Sequence, residues 1–154
     1  MKMFRVLLAL PMEEKAWVVL LFLASLLAKS ALLVLPLRYF FPLLGSHHRN
    51  DRITVAVAPE TISRARRMGS LMQQISGKAI WETRCLPQAI SVKWLLNRYR
   101  IPAVFYLGAR IDADSGERMK AHAWVQVDDT VIVGGPQHID YQVVATFAPE
   151  GQPA

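Results

Sequence analysis

The stretch "CLPQAISVKWLLNRYRIPAVFYLGARI", residues 85–111, changes its hydrophobic period partway along. In its first half Ala89, Ile90, Val92, Trp94, Leu95 and Leu96 supply the apolar positions of a helix. Pro87 fits the first turn, where a missing N–H costs nothing. Arg98 and Arg100 suit the negative end of the helix, and Pro102 follows them. From there "AVFYLGARI" reads as a strand.

Downstream, "DADSGERMK" reads as a polar connection, "AHAWVQV" as a second strand, "DD" as a tight turn and "TVIVGG" as a third strand. Upstream, Pro59 and Glu60 open a helix, "PETISRARRMGSLMQQIS". Its apolar face carries Ile62, Ala65, Met68, Leu71, Met72 and Ile75, and Gly77 stops it. Arg64, Arg66 and Arg67 fall mainly on other faces and read as solvated surface. Helices first, then an antiparallel meander, define an α+β class.

Residues 1–50 form an apolar helical N-terminal region and residues 51–154 the mixed remainder. Pro11 and "MEEKAW" start a helix that runs to about Leu35, where Pro36 interrupts it. "LRYFFPLL" suggests a second short helix ending at Gly45. From Ala16 to Ala28 the only polar residue is a serine, and Lys29 and Ser30 separate this run from "ALLVLPL". Taken across Lys29, the segment 16–37 reaches the length of about 20 residues that a spanning helix needs; runs of about 10–14 are more often buried helices. Both a buried or partner-facing helix and a membrane-associated one are open on this pattern. The acids of "MEEK" before the apolar run, with no small-residue cleavage site after it, argue against a secretory signal. A cytoplasmic location, with or without membrane association, is the expectation. "GSHHRNDR" is the most polar stretch and reads as a loop; His47 and His48 are expected to be solvated there, not metal ligands.

A chain of 154 residues is one domain by size, with room for a core that needs no disulfide. Its one cysteine rules out an internal disulfide and a cysteine-rich metal framework. The net charge of +6 invites nucleic acid, anionic membrane or an acidic partner. No nucleic-acid motif accompanies it, and no metal or cofactor is expected.

The cysteine carries the chemical question. Cys85 lies at or beside a helix start marked by Pro87, with Thr83 in place to cap it. Unpaired N–H groups at such a start favour a thiolate and can receive an oxyanion. A nucleophilic thiol also needs an imidazole to hold the thiolate and protonate a leaving amine. His122, in "AHAWVQV", shares a face with Trp124 and Gln126 and is flanked by alanines; on spacing alone it reads equally as a catalytic or a satisfied core histidine. His138, after "GGPQ", sits in a loop. Asp128 and Asp129 are turn residues, about six positions and roughly 20 Å from His122 along a strand. The position opposite His122 falls near Gly134 and Gly135, and Asp140, beyond the following turn, is a candidate for orienting the imidazole.

"RCLPQAISVKWLLNRYRIPAVFYLGAR" followed by "AHAWVQVDDTVIVGG" resembles the transglutaminase-like, papain-like cysteine peptidases that remove leaders in lasso-peptide biosynthesis. The apolar region "LPMEEKAWVVLLFLASLLAKSALLVLPLRYF" shares the likeness, which thus spans most of the chain. The resemblance implies a catalytic core over residues 51–154 and a Cys-His-Asp triad whose first two members match Cys85 and His122. The aspartate expected about a dozen residues past the histidine is absent, and Gly134 occupies that neighbourhood. The resemblance further implies a precursor-peptide substrate, usually with threonine two residues before the core. It implies a separate leader-recognition protein and an ATP-dependent cyclase as partners. An acyltransferase on the same scaffold and a non-catalytic membrane or assembly subunit are the alternatives, the latter motivated by segment 16–37 and the missing aspartate.

Overall fold

The computed structural model describes residues 9–48, 52–76, 85–111 and 119–150. The elements are α1 (Met12–Val34), a 3-10 turn (Leu37–Phe40), α2 (Phe41–Leu44), β1 (Ser46–His48), α3 (Pro59–Ser76), α4 (Cys85–Arg98), β2 (Val104–Ile111), β3 (Met119–Val127), β4 (Thr130–Val133), a second 3-10 turn (Pro136–Asp140) and β5 (Gln142–Ala148). The sheet is five-stranded, in the order β1-β5-β2-β3-β4, with every described pairing antiparallel. Together with the helices packed on it, this bears out the α+β class.

The expected meander β2-β3-β4 is present, but it forms only one side of the sheet. "QVVATFA" adds β5 on the other side of β2, and β1 pairs with β5 at the edge. The sequence reading took "GSHHRNDR" as a loop; instead residues 46–48 form β1, because β5 lies beside them to pair, His47 resting against Phe41 and Phe147 with ring centroids 5.8 and 5.1 Å away. Gly45, at φ +117°, makes the turn between α2 and β1, and a Cβ there would lie 2.2 Å from the Ala148 carbonyl oxygen. β1 thus ties the described N-terminal segment, residues 9–48, to the same sheet as the rest.

The main core lies between one sheet face and α1, α3 and α4. It holds Leu21, Met68, Met72, Leu95, Leu96, Phe105, Val125 and Phe147, among others. The helix face expected on α3 is the buried one, with Gly69 added where α3 nears β4: a Cβ there would meet the Ile132 carbonyl oxygen at 2.2 Å. On the other sheet face Val104, Tyr106, Trp124 and Val143 form a second cluster with Ile53 and Val55. The Tyr106 hydroxyl closes it, accepting from the Ile53 N–H at 3.2 Å and donating to the Ile53 carbonyl at 2.7 Å.

α1 buries Trp17, Leu21, Ser25 and Ala28 against α3 and α4, while Leu27 and Leu33 are exposed. By length and composition alone it could cross a membrane, although a core helix of a soluble protein passes the same test. The arginines of α3 are not simply solvated. Arg67 makes a two-pronged bond to Glu14 at 2.7 and 2.9 Å, Arg64 pairs with Glu13, and Arg66 donates to Thr130 at 3.3 Å. The acids that begin α1 therefore face α3, and Arg67 holds the Glu14 carboxyl below its usual range.

Candidate functional site

Cys85 is the first residue of α4, half-buried and free, and packs against the main core. Pro87 lies in the first turn, where its missing N–H removes no helical bond. The Pro87 carbonyl accepts from the Ser91 hydroxyl at 2.7 Å. The Thr83 cap and the Gly77 stop lie outside the described residues.

A short turn through Arg100, in the left-handed region at φ 55°, sends the chain from α4 back into β2. The buried Lys93 ammonium braces it by donating to the Ala103 carbonyl at 2.6 Å. Gly108 on β2 is the register partner of His122 on β3.

Cys85 and His122 lie against different faces of the sheet. Ala123 and Val125 belong to the main core under the helices, whereas Trp124 belongs to the cluster on the opposite face. His122 alternates with Trp124, and the two rings stack with centroids 6.0 Å apart. Tyr141 packs against the imidazole with centroids 5.0 Å apart, and His138 approaches Trp124 at 5.7 Å. Gly108 makes room for this aromatic group: a Cβ there would lie 2.7 Å from the Tyr141 Cβ and 2.8 Å from the Trp124 ring.

The His122 imidazole is buried, and its Nε2 lies 2.7 Å from the Gly134 carbonyl oxygen. A carbonyl only accepts, so Nε2 carries the proton and Nδ1 keeps its lone pair in the neutral ring. Among the described residues the Cys85 thiol makes no hydrogen bond, to His122 or to any other group. Asp140 is placed elsewhere. Its carboxylate pairs with Arg110 at 3.8 Å, half exposed, and the Arg110 guanidinium lies over the Tyr141 ring. The aspartate that sequence reasoning offered for His122 is thus engaged on the outer side of Tyr141. The carbonyl that takes its place carries no side-chain signal, although the glycine pair Gly134-Gly135 marks where backbone comes close. His138 makes a parallel bond, its Nδ1 lying 2.9 Å from the Gly135 carbonyl oxygen. Among the described residues no cluster of histidine, cysteine and acidic side chains could hold a metal.

A half-buried thiol at a helix start and a buried imidazole on β3 sit within an α+β fold. The family model of the transglutaminase-like superfamily matches residues 31–146, about three quarters of the chain, and the chain belongs to that superfamily. The match runs across residue 50, as the pairing of β1 with β5 does. No curated protein and no solved structure matches the chain.

Proposed function

We propose that this protein is a cysteine peptidase that cleaves the leader from a lasso-peptide precursor, with Cys85 as nucleophile and His122 as its base and acid. The observation that supports it is the presence, in a transglutaminase-like chain, of a cysteine at the start of α4 and a buried β3 histidine whose Nδ1 makes no hydrogen bond to a described residue. His122 Nδ1 takes the thiol proton, and the Cys85 sulfur attacks the carbonyl carbon at the leader–core junction. The backbone N–H groups that begin α4 have no helical acceptor and receive the oxyanion. As the tetrahedral species collapses, the C–N bond breaks and the imidazolium gives its proton to the departing core amine. A thioester to the leader remains, and water, deprotonated by the same imidazole, releases the leader acid and frees the thiolate. Cys85 packs on the helix side of the sheet and His122 on the other, so this chemistry requires the two groups to meet around the sheet when substrate binds.

On this reading a separate leader-recognition protein delivers the precursor, and an ATP-dependent cyclase takes the freed core. Cleavage of precursor with the recognition protein present tests the assignment. Cys85→Ala and His122→Ala should each lower turnover by at least about 100-fold. Undiminished cleavage by Cys85→Ala would sink it. Acyl transfer to an amine passes through the same thioester and is separated by product mass, since hydrolysis adds water and aminolysis adds the amine.

A further inference from the structure

We infer that the Gly134 backbone carbonyl, and no carboxylate, is the group that orients the His122 imidazole. This inference rests on the proposed Cys85–His122 chemistry and supplies its third member.

The carbonyl oxygen lies 2.7 Å from Nε2 of a buried ring. Stacking on Trp124 and Tyr141 limits the ring's rotation, so the bond selects which edge points where. With Nε2–H donating to Gly134, Nδ1 is the only nitrogen able to take a proton from the thiol. The place is also closed to a side chain. Gly134 has φ +111°, and a Cβ on it would lie 2.3 Å from the Trp124 Cβ and 2.8 Å from its Cα. The missing side chain that removes the aspartate is therefore what lets the backbone just after β4 approach closely enough to bond the imidazole. Asp140, the other carboxylate weighed for this role, is paired with Arg110.

The carbonyl bonds fix opposite tautomers at two histidines: Nε2–H at His122 through Gly134, and Nδ1–H at His138 through Gly135. Long-range proton–nitrogen correlation spectra of the ¹⁵N-labelled full chain, recorded where the imidazoles are neutral, read both directly. His122→Gln and His138→Gln assign the signals. An Nε2–H signature at His122 is expected. An Nδ1–H signature, or the averaged shifts of a freely exchanging imidazole, overturns the inference while leaving the nucleophile assignment of Cys85 untouched. Conversely, loss of Cys85 dependence in the cleavage assay overturns the proposed chemistry whichever tautomer is found.

A second test uses turnover. Gly134→Asp puts a carboxylate at the expected family position, and should nevertheless lower kcat by on the order of 100-fold, because the displaced backbone misplaces the imidazole. A rise in kcat would overturn the inference. Replacing residue 135 by glycolic acid turns the Gly134 amide into an ester, weakening the acceptor without adding atoms. It should lower kcat with little change in KM, and unchanged kcat would count against the carbonyl's role.

Discussion

At the scale of single residues, Lys93 is the most costly placement in the helix that carries the cysteine. The residue is 1% exposed, its ammonium donates to the Ala103 carbonyl, and burial lowers its pKa from 10.5 to about 8. Between about pH 8 and 10.5 the unfolded chain holds a proton here that the folded chain has released. Raising the pH across that window therefore adds stability from this group, while below about pH 8 the folded chain carries the full cost, on the order of 3 kcal/mol. Lys93→Met should stabilise the protein near neutral pH by about 2 kcal/mol, since about 1 kcal/mol is lost with the Ala103 bond. Urea unfolding of both proteins should find that gain fading as the pH approaches 10.5; a gain independent of pH would refute the account. Gly69 is the opposite case, a position defined by absence. Gly69→Ala forces α3 away from the Ile132 carbonyl and should cost about 1–3 kcal/mol despite the better helix propensity of alanine.

At the scale of elements, α1 has two unlike sides. Leu21 is fully buried against α3 and α4, with the Glu14–Arg67 pair fixing the start of the helix beside it. Leu27 and Leu33 are 69% and 81% exposed. Leu21→Ala should therefore cost about 2–5 kcal/mol, whereas Leu27→Lys with Leu33→Lys should change stability by less than about 1 kcal/mol. Chemical unfolding of the three proteins checks this, and equal losses would mean that the exposed side also packs within the chain. The Glu14–Arg67 bond is at the surface and contributes little by itself; its use is to set the helix against α3. β5 is held by similar means, with Phe147 fully buried against Phe41 and Phe105 at 4.7 and 5.9 Å. Phe147→Ala should cost about 3–5 kcal/mol, and hydrogen exchange should report faster exchange of β1 and β5 amides before those of β3.

At the scale of the whole molecule, the elements were legible because their signals are local. Pro11 and Pro36 bracket α1, the apolar repeat of residues 59–76 gave α3, and Pro87 with Pro102 framed α4. The period change after Pro102 gave β2, and the Asp128-Asp129 turn, with Asp128 at φ 52°, gave the β3–β4 hairpin. The thiol was legible too, as a lone cysteine at a proline-marked helix start. What the pattern could not give was every feature made by residues far apart. β5 lies between β1 and β2 although it follows β4 in the chain, and β1 exists because β5 lies beside it to pair with residues 46–48, His47 resting against Phe41 and Phe147. The pairing of Glu13 and Glu14 with α3 needed the two helices side by side. The partner of His122 was hidden for a further reason: a backbone carbonyl is the same in every residue, so only its approach to the ring identifies it. The sequence by itself determined the α+β class, the helix that presents Cys85 and the strand that carries His122, because period, proline and turn chemistry act over a few residues. Only the tertiary structure decided the sheet order, the engagement of Asp140 by Arg110, and the bond from His122 to Gly134. Each depends on where distant segments meet, and at the last of these it is the missing Cβ of Gly134 that lets them meet.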